Sequence, residues 1–583
     1  MDRYLALARR AAVALLVALA APALAAPQKV LRIPFIIAET NFDPAFASDT
    51  YSYNVIDEII EPPLTYDMLA RPYRLKVQTA ESMPEITEGG RVYTVKLKKG
   101  IYFADDPAFN GKKRELVAKD YEFAIKRLID PAVRSPNSWM VDGRIEGIDA
   151  AAEKAKKDGK LDYDAPISGI RLLDSHTLQL RLAKPDYNFL YILAMATLGG
   201  QAREVVERYG NDIGAHPVGT GPFLLKEWKR SHRIVLEKNP NFREMYYDEK
   251  PTPGDALSER LLAEMKGKRI PQLDRIEISV IEESQPRWLA FLNNELDWIN
   301  LPYEFKSMAL ANDKPAPWVE KRGIKFLPSI DSDVTYLYYN MKDPVLGGYT
   351  PEKVALRRAI SLAYDIEEEV NLIRNGTAIE AQTPLPPGIL GYDANFNMGR
   401  TYDPAKAKAL LDMFGYVDKD GDGWREQPDG KPLLIEKATS PDQQTRQLDD
   451  LMQRSMTALG IKIDFKVAKW PENLKASRAG KLMVWNVGWS AATPDGDTFL
   501  ALGYGPNKGQ ANHARFDLPA FNALYEKQRA LPDSPERRAA MDEAKKLMIA
   551  YMPYKVHVHR TFTDMAHPWV VGYHRNIFVR DFW

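Results

Sequence analysis

From Arg91 to Leu97 polar and apolar residues alternate, and Lys99-Gly100 follows, which predicts a half-buried strand closed by a turn. Val235 lies in a second such pattern. Ile276, Ile278 and Val280 form a third, which leads into a helical pattern around Trp288 to Asn293. Other stretches carry helical signals. Asp120 stands at the start of a helix running to Leu128, with Pro131 as its stop. Thr350-Pro351 reads as N-cap and N1 of a helix extending to Gly376, and Asp403-Pro404 repeats the device ahead of a helix that Gly415 ends. Between Gln444 and Leu459, Leu448, Leu451, Met452, Met456 and Leu459 fall on one helical face. Strands and helices interleave along the whole chain, the pattern of α/β lobes rather than of a bundle or a sandwich. Two segments, Asp149 to Asp164 and Met245 to Arg269, are charged and read as solvated additions to the surface.

The N-terminus changes the picture. Arg3, Arg9 and Arg10 precede an uncharged apolar run from Ala11 to Ala21, and Ala23-Leu24-Ala25 supplies a small-x-small cleavage site. Residues 1–25 are therefore expected to be a cleavable export signal, too short in its apolar part to span a bilayer. The chain has no cysteine, which excludes disulfides, thiolate metal sites and a lipid-bearing cysteine at the cleavage point. A free, non-lipidated periplasmic protein is expected. Removal of residues 1–25 leaves 76 basic against 78 acidic residues, so no basic surplus points to nucleic acid or to an anionic membrane. The remaining length suits two or three domains.

Four segments carry a family resemblance. His216-Pro-Val-Gly-Thr-Gly-Pro-Phe223 continues through Trp228 to Asn239-Pro240-Asn241. The second is Val354 to Asp365, with Pro386-Pro387-Gly388 and Gly391-Tyr392. The third is Tyr402 to Leu411, followed by Asp418 to Trp424. The fourth is Gly488-Trp489 with Pro494-Asp495 and Phe499. In this order they resemble the extracellular solute-binding family (family 5) that includes dipeptide-, oligopeptide- and nickel-binding proteins, the periplasmic components of ABC importers. The resemblance covers essentially the whole mature chain. It implies a two-lobed clamshell of the large (cluster C) type, with mixed sheets flanked by helices and an extra subdomain in lobe one. It implies a discontinuous first lobe, residues 26–301 plus 557–583, and a second lobe, residues 302–556. The expected partners are a peptide or other small solute in the cleft and an inner-membrane ABC permease. The expected protein is a monomer with no cofactor and no chemistry of its own.

The resemblance also nominates site residues. In peptide-binding members the tryptophan matched by Trp489 is followed three residues later by an aspartate that grips the peptide ammonium. Here Ser490, Ala491 and Ala492 follow, and a methyl group stands at the expected carboxylate. An unpaired buried ammonium is costly, so a free α-ammonium is not expected to be the main anchor. Asp495 or Asp497 supplies a substitute only if the loop is rearranged, whereas Asp495-Gly496 is ordinary turn chemistry. Arg446 stands where dipeptide binders carry a carboxylate-holding arginine, weighed against an exposed arginine in a helix's first turn. Asp49, Thr50 and Tyr51 match a segment lining the cleft, with Tyr51 and Trp489 as candidate aromatic walls.

Asp418, Asp420 and Asp422, with Gly423 next, resemble the front of a calcium loop, but position 12 is Asp429 and no second helix follows; a tight turn is the preferred reading. His557 and His559 are expected on one strand face as core or cleft-edge residues, since no third ligand is near in the sequence. The competing functions are the same fold holding an opine, sugar, metal chelate or haem, and a secreted hydrolase. Against the hydrolase, the chain has no His-Glu-x-x-His motif and no Gly-x-Ser-x-Gly elbow.

Overall fold

In the computed structural model, residues 28–70, 73–311, 314–396 and 402–578 are described. The expected export signal, residues 1–25, lies outside them. Strand Val30–Phe35 runs parallel to Arg275–Val280, which pairs antiparallel with Arg233–Lys238 and then Phe223–Lys229. Alternate residues of this sheet, Ile33, Phe35, Ile234, Leu236, Ile276 and Ile278, point into a core shared with the helix Thr50–Ile56. The 216–223 motif owes its glycines to this packing. A Cβ on Gly219 would sit 1.9 Å from the Ile59 carbonyl oxygen, and one on Gly221 would sit 2.5 Å from that of Glu58. Between them Thr220 donates to Glu61 at 2.8 Å, and Arg243 holds the same carboxylate at 2.7 and 2.8 Å.

A separate antiparallel sheet, in the order Glu85–Thr87, Val92–Lys96, Thr177–Arg181, Ile170–Asp174, forms the extra subdomain. The helix Ala118–Arg127 packs on it through Tyr121 and Ile125. Asp120 lies in the first turn of that helix, and its carboxylate reaches back to accept from the backbone N–H of Val117 at 2.8 Å. The expected surface additions have apolar anchors of their own. In one, Tyr163 packs on Phe123; in the other, Tyr247, Leu261 and Met265 close over Leu69 together with the adjoining Ile270.

The other lobe is built on a five-stranded sheet in the order Lys462–Val467, Leu434–Thr439, Val484–Ser490, Asp333–Tyr339, Tyr554–Val556. Every residue of Asp333–Tyr339 is buried because both faces are covered. Val334, Tyr336 and Tyr338 enter the core beneath Pro519–Arg529 and Pro535–Tyr551. Leu337 and Tyr339 enter the opposite core, with Pro351–Ala363, Pro404–Met413 and Gln443–Leu459. The helix expected to run from Thr350 to Gly376 ends at Ala363. Asp365 then caps a new turn through the backbone N–H of Glu368, and Tyr364 turns its hydroxyl to Glu369.

A further sheet joins the two lobes. Val558–Ala566 lies between Trp298–Asn300 and Lys325–Ile330, and its start also pairs with Ala378–Glu380. Residues 303–324 pack on Trp288 and Phe291, on the side of the first lobe.

Candidate functional site

Between the lobes lies a cavity of about 400 Å³, within the range of small-ligand sites. The first lobe contributes Tyr51, Trp139 and Trp298; the second contributes Trp470, Trp489 and the 490–492 backbone turn. These rings are held by further aromatic contacts. Phe35 packs edge-on against Tyr51 at 5.0 Å, Trp485 supports Trp470 at 4.8 Å, and Tyr573 lies 5.7 Å from Trp298. The segment Tyr573 to Phe578 completes the wall, with Phe578 wedged between Tyr66 and Tyr73.

The lobes touch around the cavity. Gln510 donates to Ser138 at 2.7 Å and accepts from the Trp139 backbone at 3.2 Å, while Arg478 donates to Ser48. Arg144 lies 3.2 Å from Asp497, and Arg529 lies 3.5 Å from Asp186, which also accepts from Arg144. These contacts exist only with the lobes together, and they hold the two walls of the cavity facing each other.

The charged groups at the wall are mostly neutralised in place. Arg560 pairs with buried Asp333, and Arg575 binds both oxygens of buried Asp564 at 2.7 Å. The two guanidinium groups flank the ring of Phe562, at 5.3 and 4.7 Å from its centre. Burial, reinforced by Arg478 and Arg515, pushes the His513 imidazole down to about 3, so it faces the cavity as a neutral ring.

Of the residues nominated by sequence, Asp49, Thr50, Tyr51, Trp489, Ser490, Ala491 and Ala492 come together in the wall. The Asp49 carboxylate serves as the helix N-cap, accepting from Ser52 N–H and Oγ at 2.8 Å and from Thr40. Asp495 stands behind the wall, gripped by Arg537 at 2.7 and 2.8 Å. Arg446 is exposed, 3.8 Å from Glu283 of the first lobe. Neither is among the residues lining the cavity. At the acidic turn the carboxylates of Asp418, Asp420 and Glu426 approach within 4.8 Å, while Asp422 turns to Lys462 at 3.2 Å. Asp418 accepts from the Gly421 and Gly423 N–H groups, so the turn satisfies itself. His557 bonds Glu369 and His559 bonds the Asp333 carbonyl, each at 2.7 Å, so the two imidazoles serve different partners.

Sequence reasoning missed Trp139, Trp298, Trp470, Asp331, Arg560 and the wall segment Tyr573 to Phe578. Asp331 had a local signal. Asp331-Ser332-Asp333 puts two carboxylates at the head of a strand that is otherwise aromatic and aliphatic.

An aromatic cavity walled by two lobes, with its arginines held by buried acids, suits a protein that binds a small molecule between the lobes. The family model for bacterial extracellular solute-binding proteins, family 5, matches residues 74–511, and the chain belongs to this family. It is similar to haem-binding protein A of Haemophilus influenzae, 25% identical over 93% of this chain and 89% of that one. It is also similar to the dipeptide-binding protein of Escherichia coli, 24% identical over 87% and 88%. Among solved structures it resembles the periplasmic binding protein DppA from Helicobacter pylori in complex with the peptide STSA. That match has a TM-score of 0.75 and 23% identity, covering 94% of this chain and 96% of that one. The fold is the two-lobed mixed α/β fold of periplasmic binding proteins, and no helix among the described residues is long and apolar enough to cross a membrane.

Proposed function

We propose that this protein is the periplasmic substrate-binding component of an ABC importer, capturing a short peptide or peptide-like solute and presenting it to an inner-membrane permease without chemical change. The carrying observation is the inter-lobe cavity, whose aromatic wall draws on both lobes and includes Tyr51 from one and Trp489 from the other. Ligand contacts made only in the closed arrangement would favour closure, and the closed shape is what a permease can select. The names of relatives support the peptide reading: dipeptide- and di/tripeptide-binding proteins match over most of their length. The reading includes export by residues 1–25 and a free, monomeric mature protein. Because strand Lys325–Ile330 pairs with Val558–Ala566, we place the lobe crossings near Asp331 and His557.

Isothermal titration of ligand-stripped protein with pools of di- and tripeptides tests this. Saturable binding at one ligand per chain is the expected result. No heat from any peptide pool, with binding of haem or another non-peptide solute, would replace the peptide reading with the alternative use of the same fold.

A further inference from the structure

One carboxylate in the cavity wall has no counterpart. Asp331 is 3% exposed and lines the cavity, and among the described residues no hydrogen bond or ion pair reaches its side chain. Its surroundings hold two guanidinium groups, but each has its own buried acid: Arg560 has Asp333 and Arg575 has Asp564. Among the described residues, the carboxylates of Asp331, Asp333 and Asp564 face these two guanidinium groups, which attract Asp331 only from beyond hydrogen-bond distance. Asp49 and Asp57, also in the wall, are engaged with other groups of the protein. Leaving a charge buried and unpaired is costly, and a cationic group of a ligand in the cavity is one partner that would offset that cost.

The strand register says where that charge stands. Asp333 pairs with Ser490 and Val334 with Trp489, and the Ala491 N–H donates to the Ser332 carbonyl at 2.7 Å. Asp331 precedes Ser332, and Ala492 follows Ala491, on adjoining segments, with the Asp331 N–H donating to the Arg560 carbonyl at 3.0 Å. Asp331 and Ala492 both line the cavity. The carboxylate absent from position 492 is thus present on the adjoining segment, at the end of the wall that Trp489 begins.

We propose that Asp331 anchors a protonated amine of the solute. This deepens the peptide reading and rests on it: the solute would carry a free amino group beside an apolar or aromatic body. An ammonium nitrogen about 2.7–2.9 Å from the carboxylate makes a charge-assisted hydrogen bond. The guanidinium groups of Arg560 and Arg575 stay with their own acids, so Asp331 is left to the ligand. This reverses the expectation drawn from Ala492 alone, that a free ammonium is not the main anchor.

The test offers ligand-stripped protein two matched pools of synthetic di- and tripeptides, one with free amino termini and one N-acetylated, read by native mass spectrometry. The wild type should retain the free-amine pool. Asp331→Asn, which keeps size and shape, should lose about 30-fold or more in affinity for it, the scale expected when one member of a buried charge pair is removed. Its affinity for acetylated peptides should stay within about threefold. Asp331→Asn combined with Ala492→Asp should regain the amine preference, which a merely misfolded variant cannot do. Free-amine peptides bound equally by wild type and Asp331→Asn would overturn the assignment while leaving the peptide reading intact. Retention of neither pool by the wild type would overturn the peptide reading and this proposal with it.

Discussion

Arg144 in the first lobe and Asp497 in the second lie 3.2 Å apart, with side chains 1% and 5% exposed. Asp186 and Gln528 complete the contact from their own lobes. The pairing holds Asp497 below its ordinary carboxylate range against the opposing effect of burial, with Arg144 the largest favourable influence. A buried ion pair of this kind adds little over an apolar contact, but breaking it leaves an uncompensated charge. It therefore acts on which lobe arrangement is populated. Asp497→Asn and Arg144→Met should each expand the ligand-free protein in small-angle X-ray scattering and weaken ligand affinity about tenfold by lowering the closed fraction. The double variant should be no worse than either single one. An unchanged scattering profile in both single variants contradicts this role.

Asp495 is expected to matter for stability rather than for the ligand. It is fully enclosed with Arg537, and Asp495→Ala leaves that guanidinium buried and unpaired. The cost should be about 3–5 kcal/mol in denaturant unfolding. Affinity measured well below the melting temperature should change by less than a few-fold; a selective loss of binding with normal stability would return Asp495 to the ligand.

Trp489 and Arg446, both nominated by sequence, should separate cleanly. Trp489→Ala removes a cavity wall and should weaken ligand binding by about tenfold or more, as loss of a central aromatic contact does elsewhere. Arg446 is 58% exposed in its side chain and its pair with Glu283 is long. Arg446→Ala should shift affinity and stability by less than about 1 kcal/mol. Titration calorimetry and thermal melting of the two variants side by side decide the matter.

Stability should fall on acidification, and His559 should account for part of the slope. Burial pushes its imidazole down to about 4, opposed by the hydrogen bond to the Asp333 carbonyl. The unfolded chain, with an ordinary value of about 6.5, therefore binds more protons between these limits. The neutral-histidine contribution is complete above pH 6.5 and is lost as pH falls toward 4, reaching about 2 kcal/mol at pH 5. His559→Gln should flatten the pH dependence of unfolding between 7 and 5 by that amount. An unaltered slope would mean that His559 is not held neutral.

Elements whose partners lie close in sequence were legible from the chain alone. The alternation at Arg91 to Leu97 is the strand Val92–Lys96, and the apolar face of Gln443–Leu459 buries all five residues expected to face inward. Asp365 was a missed local signal, because a helix-capping acid two residues beyond an apolar run marks a break before Gly376. The cavity was legible only where a motif pointed to it, at Asp49 to Tyr51 and at Trp489 to Ala492. Trp298, Trp470 and the wall segment Tyr573 to Phe578 are brought to it by pairings across hundreds of residues, such as Asn300 with Asp564, which no periodicity encodes. Asp331 belongs to the same class: its meaning depends on Arg560, Arg575 and Ala492, none of them its neighbour in sequence.

The most direct test is to produce the full chain in its native host, purify it without stripping its ligand, and identify by native mass spectrometry what it releases on unfolding. The account predicts a ladder of short peptides with free amino termini, one per chain, absent from Asp331→Asn. A single non-peptide mass, carried equally by both proteins, would contradict it.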